Sequence, residues 1–337
     1  MKKIICISAL AIICTTFAFP PANASTLEDV KEEGLLRCGI RDSGSALSYI
    51  DEQGRWGGFF PDICRAIAAA VLNSKDSVEF ITTEAASRFV SLREKEFDVL
   101  GEAATWTLGR DANGLDFSTM YLFDGQGFLT YKPSKIESLS DLKGKKICVQ
   151  THTTTLGNLQ DYNDVHKMNM DILEYDTLEG SFSAFFDHRC DALTQDVLTM
   201  SSINKAYAPN PDDYMLLPDR ISKEPLSAVV RSDDAQWADI TRWVINALIE
   251  AEELGITQNK VKDLEKSDNK SILRFLGQEG NLGEALGLDP KWAANVISAV
   301  GNYGEIYERT LKKDLKIERG INNLWTKGGL IWSPPMR

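Results

Sequence analysis

Short apolar runs alternate with amphipathic stretches twice along this chain, and that alternation leaves few architectures open. Residues 36–41 form a brief apolar run, followed by a polar, glycine-containing stretch to Gly54. Ile63, Ile67, Ala70 and Val71 then recur at helical spacing behind Pro61, a residue the first helical turn tolerates. Residues 78–81 predict a strand, 88–92 a helix and 98–100 another strand. Such a βαβ rhythm builds a parallel-type sheet with helices packed on it.

Residues 124–131 read as a long strand leaving that first unit, and Gly125 and Gly127 permit the bending that a crossover needs. After Lys132-Pro133 the rhythm restarts. A strand is expected over 147–150, and a helix behind Thr153 running through Leu156 and Leu159. A second helix is expected over 182–186, and a strand from 191 ending at Asp196. Residues 221–231 look like a returning strand, and 235–253 a strong helix with Trp237, Ile240, Val244, Leu248 and Ala251 on one face. Asp289-Pro290 predicts one more helix start. No internal repeat is visible. The expected fold is therefore α/β with two hinged lobes, each a mixed, mostly parallel sheet flanked by helices. Lobe 1 would comprise 25–128 and 226–337, including a C-terminal helical extension. Lobe 2 would comprise 129–225, with hinge strands at its edges.

The first 24 residues stand apart. Lys2 and Lys3 precede a mostly apolar run to Phe19, and Ala22-Asn23-Ala24 is a small-residue cleavage site. The run is short for a bilayer span, so a signal peptide cut between Ala24 and Ser25 is expected, with a periplasmic destination. This leader contains two lysines and no acid, so its loss makes the product more acidic than the −12 of the full chain. That charge makes nucleic acid and anionic lipid surfaces poor partners.

Of the six cysteines, Cys6 and Cys14 leave with the leader. Cys38, Cys64, Cys148 and Cys190 remain, and an even number in an oxidising compartment points to two disulfides. Four cysteines allow three pairings. Cys38–Cys64 with Cys148–Cys190 is the expected one, because each link then stays within one lobe and leaves the hinge free. The chain has no CxxC spacing and only three histidines, so neither a metal nor a cofactor is expected.

Thr105, Arg110, Thr153, Thr154 and Asp196 fall near the ends of predicted strands. A guanidinium binds a carboxylate through two parallel hydrogen bonds, which fixes position and angle. Thr153 and Thr154 open a helix whose free N–H groups favour an anion. Asp196 can accept from an ammonium. One cation, one carboxylate and several hydroxyl donors suit a zwitterion, and a free amino acid is the leading ligand.

The wording around these residues carries a resemblance that runs along the chain beyond the leader. It includes Cys38-Gly39, Trp56-x-Gly58-Phe59, Thr105-Trp106-Thr107, Arg110-Asp111 and 124–128. It continues through Cys148-Val149-Gln150, Thr153 to Thr155, Arg189-Cys190-Asp191, 221–226, 301–305 and 324–329. In these the chain resembles the general L-amino-acid-binding proteins of polar amino-acid ABC importers, a branch of the family-3 periplasmic solute-binding proteins. The resemblance implies a type II periplasmic-binding fold that closes over its ligand as a monomer and docks transiently with an inner-membrane permease. It also implies that Arg110 takes the ligand carboxylate and Asp196 its ammonium, with the Thr105 hydroxyl and the Ala103 carbonyl beside them.

Some positions depart from the family pattern. His152 stands where relatives commonly have glycine, and either contacts an acidic ligand side chain or is an exposed loop residue. Glu102 and Ala103 replace a more basic and polar pair, and a Glu102 near the pocket would disfavour acidic ligands. Ala85 and Ala86 leave one wall small, while Tyr49 and Phe60 are candidates for an aromatic wall. Lys223 and Glu224 either touch the ligand or pair with each other. The alternative is an enzyme on the same fold, such as a cyclohexadienyl- or arogenate-type dehydratase. Only His152 and Glu102 offer it an acid or base, and no nucleophile stands with a base.

Overall fold

A computed structural model describes residues 25–337. The expected leader and its cleavage site before Ser25 lie outside the described residues. Two five-stranded sheets form the cores of two lobes. The first contains β1 (Leu36–Ile40), β4 (Val78–Thr82), β5 (Val99–Leu100), β6 (Leu115–Asp124) and β12 (Glu224–Arg231), in the order β4-β1-β5-β12-β6. The second contains β7 (Gln126–Tyr131), β8 (Lys146–Gln150), β9 (Asp171–Tyr175), β10 (Ala192–Asp196) and β11 (Tyr214–Leu216), in the order β11-β7-β10-β8-β9. A small hairpin, β2 (Tyr49–Ile50) with β3 (Trp56–Gly57), caps the first lobe.

Each sheet has the same logic. Three strands connected through helices run parallel: β4, β1 and β5 in one lobe, β9, β8 and β10 in the other. β12 and β7 add antiparallel to them, and β6 and β11 pair antiparallel with β12 and β7 in turn. The chain crosses once between β6 and β7, at Gly125, and returns between β11 and β12. These two segments lie so close that a side chain at Gly125 would sit 2.8 Å from the Ser222 carbonyl oxygen. Residues 126–131 are already paired in the second sheet, so the first crossing is a single residue wide.

Helices Phe59–Leu72 and Ala235–Glu253 bury a face of the first sheet and Trp292–Val300 packs across both, with Trp237, Trp292, Tyr303 and Tyr307 fully enclosed in this core. The first of these starts at Phe59 rather than Pro61. Gly58 makes this possible: it holds φ 116°, and a Cβ there would sit only 2.6 Å from the Leu47 carbonyl oxygen. Asp289 and Pro290 form a turn instead of opening a helix. The Asp289 carboxylate accepts from the Lys291 N–H, and the helix begins at Trp292. Beyond it the chain wraps back, and Asn322 exchanges two hydrogen bonds with the backbone of Phe123 on edge strand β6. Cys38 pairs with Cys64 in the first lobe and Cys148 with Cys190 in the second. No described helix is long and apolar enough to cross a membrane.

Candidate functional site

The carboxyl ends of the parallel strands in both lobes face one cleft, the usual ligand position in open α/β sheets. From the first lobe, β1 leads to Arg41, β4 to Thr83 and β5 to Glu102, Ala103 and Thr105. From the second, β8 leads to Gln150 and the helix start at Thr154, and β10 ends on Asp196. The lobes touch across this cleft. The Arg41 guanidinium donates to Gln150 Oε1 at 3.0 Å, and the Ala46 N–H to Ser202 Oγ at 3.3 Å.

Arg110 lies in a short helix, Leu108–Asp111, capped by the Thr107 hydroxyl. Its guanidinium sits 5.0 Å from the Phe89 ring centre and donates to the Thr105 carbonyl at 2.8 Å, which fixes the fork in place. Burial, then the nearby charge of Arg88, pulls it down to about 10, against the pull of Glu224 and Asp196. An anion in the cleft would relieve that penalty.

Asp196 immediately precedes helix Val197–Tyr207, where an aspartate would ordinarily cap. It does not. Asp124, from the crossing strand, accepts from the Leu198 N–H at 2.8 Å and takes over the capping role. Among the described residues no donor reaches the Asp196 carboxylate, although Asp196 is only 5% exposed. Burial, then the charges of Asp124 and Glu224, push its pKa well above the usual carboxylate range. Asp124 itself rises to about 6, chiefly through burial. A cation beside Asp196 would relieve that penalty.

Thr105, Thr154 and Glu224 form one network. The Thr105 hydroxyl donates to Glu224 Oε2 at 2.5 Å and the Thr154 hydroxyl to the same oxygen at 3.1 Å. Asn158 and Ser222 donate to Oε1. Glu224 thus ties both lobes to the returning strand, and it does not pair with Lys223, which is exposed. Thr153 caps the helix by accepting from the Leu156 N–H and donates to the Gln150 carbonyl. Ala103 is buried, and its carbonyl has no donor among the described residues.

Other sequence candidates stand apart from this network. His152 is exposed in the turn before the helix, at φ 59°. The Tyr49 ring packs on Gly57 of the facing strand, and Phe60 lies in the core against Phe59 and Tyr121. Ala85 is buried and Ala86 exposed. Glu102 is buried too, and neither faces solvent nor stands free toward a ligand: Arg88 and Thr83 both donate to its carboxylate. Burial opposes its charge, yet Arg88 and Arg41 hold its pKa below the usual range.

Sequence reading missed Arg41 and Arg88. Both are more than nine-tenths buried, and the Nε–H of each finds no acceptor among the described residues. Their positions after β1 and β4 were a signal, because Thr105 and Asp196 likewise lie at or just beyond the carboxyl ends of strands, β5 and β10.

A family profile for bacterial extracellular solute-binding proteins, family 3, matches residues 36–261. The general L-amino acid-binding periplasmic protein AapJ of Rhizobium johnstonii is 41% identical over the whole of both chains. The glutamate/glutamine/aspartate/asparagine-binding protein BztA of Rhodobacter capsulatus is 40% identical over 94% of each. A solved periplasmic binding protein from Brucella ovis, with glutathione bound, is 43% identical and superposes with a TM-score of 0.91. That match covers 93% of this chain and all of the other. All three are described as binding proteins, so the dehydratase alternative draws no support from them.

Proposed function

The chain belongs to the family-3 bacterial extracellular solute-binding proteins, and from that premise we propose that it is the periplasmic amino-acid-binding component of an ABC importer. It binds and releases without catalysing a reaction. The carrying observation is the separation of two unmatched charges: Arg110 in the first lobe and Asp196 in the second, each penalised by burial. An L-amino acid answers both at once, its carboxylate in the Arg110 fork and its ammonium on Asp196. The free Ala103 carbonyl offers the ammonium a further acceptor, and Thr105 and Thr154 border the same space.

Lobe motion about Gly125 and the return segment at 217–223 would let the ligand in and then close over it, a hinge switch in which the ligand bridges the lobes. Leader cleavage before Ser25, a monomeric state and transient docking on a membrane permease complete the proposal. Arg41 and Arg88 favour polar ligands that carry a side-chain acceptor, in keeping with what the Rhodobacter capsulatus relative is named for. The test is calorimetric titration of the protein from Ser25 onward, unfolded and refolded to remove carried ligand, against the common L-amino acids. Binding of L-amino acids with affinity about tenfold or more above that of their α-amides and des-amino analogues supports the proposal; heat with none of them sinks it.

A further inference from the structure

Beyond Arg41 the cleft opens into a second chamber that the amino-acid head group does not need. It has a volume of about 380 Å³, within the roughly 300–1,000 Å³ usual for small-ligand sites. Both lobes build it. Arg41 and Thr83 form its inner wall, and both belong to the head-group network: Arg41 holds Gln150, and Thr83 donates to the Glu102 carboxylate. Arg41 lies between Asp196 on the head-group side and Glu84 on the chamber side and feels the charge of each. The opposite wall is the stacked pair Phe182 and Tyr207, with centres 5.0 Å apart and planes within 8°. Asp42, Glu84 and Glu179 line the mouth.

We propose that this chamber is a subsite for the side-chain extension of an amide-linked α-amino acid: a γ-glutamyl conjugate whose tail is neutral or cationic. The inference rests on the reading of Arg110 and Asp196 as the head-group pair. Its own observations are the Arg41 side chain in the chamber wall, only 7% exposed, and the one-sided charge of the chamber mouth. A guanidinium in that wall offers charge-assisted donors to a ligand carbonyl. A free side-chain carboxylate or amide would accept from them and stop there. An amide bond carries the chain onward and places an N–H and a tail among threonine hydroxyls and carboxylates, against an aromatic wall. Three acids at the mouth repel an anionic tail and favour one with donors.

The experiment is calorimetry on the refolded protein with L-glutamate, L-glutamine, γ-L-glutamylglycinamide and γ-L-glutamylglycine. The expected result is that the glycinamide conjugate binds, about tenfold or more tighter than the glycine conjugate with its anionic tail. Glu179→Trp, which fills the mouth from an exposed helix position, should weaken the glycinamide conjugate about tenfold while free amino acids change less than about threefold. Paired Glu84→Gln and Glu179→Gln should narrow the gap between the two tails. Free amino acids that bind where neither conjugate does would overturn the chamber and leave the head-group reading standing. So would equal affinity for the two tails, or a Glu179→Trp variant that weakens all ligands alike or none. If neither free amino acids nor conjugates bind, the head-group reading fails and the chamber proposal falls with it.

Discussion

Arg110→Ala tests the head-group assignment most directly, and the structure sets the size of the effect. Burial pulls the Arg110 pKa down to about 10, well below the usual value of an exposed arginine. At about 1.4 kcal/mol per pKa unit, the protein carries about 3 kcal/mol of uncompensated charge burial there. A ligand carboxylate in the fork relieves that burden, and removing the fork forfeits the relief. The expected loss is therefore about 3 kcal/mol, or roughly 100-fold in Kd, inside the ~2–5 kcal/mol measured when a buried charge partner is truncated. Because the contact is to the α-carboxylate, the loss should be similar for every L-amino acid that binds. Calorimetry reads this, with amino-acid α-amides as controls. Wild type should strongly prefer the acid to the amide, and Arg110→Ala should not. Arg110→Lys keeps the charge but loses the two-pronged geometry, so it should fall between them. A loss below about threefold, or an unchanged preference for the acid over the amide, would refute the assignment.

Further expectations follow from the same geometry. Asp196→Asn should weaken amino acids by about tenfold or more while barely affecting des-amino analogues; equal loss in both would make Asp196 structural. Because burial and the neighbouring acids raise the Asp196 pKa and a bound ammonium would lower it again, amino-acid affinity should fall with decreasing pH. Calorimetric titrations over a pH series read this, and a pH-independent affinity would remove Asp196 as the ammonium partner. Asp124, at about 6, is a folded-state carboxyl raised above its unfolded value. It therefore opposes folding above about pH 6, and this penalty is lost as pH falls through about 6 toward about 4. Thermal melts of ligand-free Asp124→Asn should accordingly show less gain in midpoint than wild type between about pH 8 and about pH 5; identical profiles would remove Asp124 as the cause. Glu224→Gln should leave the fold intact but weaken every ligand through the Thr105–Thr154 bridge, visible as faster ligand release in stopped flow.

How much of this was legible in the sequence depended on whether a residue's role was local. Alternation of apolar runs set the two parallel cores, and the Thr153 cap is a one-turn interaction that sequence spacing encodes. Helix starts were less secure. Pro61 and Pro290 both invited reading as the first helical residue, yet Pro61 is the third residue of a helix opened by Gly58 and Pro290 lies before the N-cap of the next helix. Roles that depend on which distant strands meet were not legible. Asp196 escapes capping only because Asp124 arrives from the crossing strand. Glu102 was open to reading as a ligand-facing acid until Arg88, fourteen positions earlier, turned out to neutralise it. Arg41 and Arg88 carried no motif at all, and only the packing of β1 beside β4 and β5 brings them together.

Closure over a zwitterion follows from how charge is divided between the walls. The first-lobe wall holds Arg41, Arg88 and Arg110 against Glu102 and Glu224, still an excess of positive charge, while Asp196 stands on the second-lobe wall with no donor among the described residues. In an open cleft water solvates both walls. Closing removes that water, and each wall then bears its own desolvation cost, since the Glu224 bridge joins the lobes through neutral hydroxyls rather than pairing Arg110 with Asp196. A simple carboxylate relieves only the first wall, and the second can close only with Asp196 protonated. A simple amine relieves only the second and leaves Arg110 buried without an anion. An α-amino acid carries both charges a few bonds apart and relieves each wall locally without changing the net charge of the cleft. Selectivity for amino acids over acids and amines therefore comes from the cost of closing on half a ligand. The diagnostic is the pH dependence of affinity: amino acids should bind more weakly as pH falls, whereas simple carboxylates that bind at all should bind more tightly.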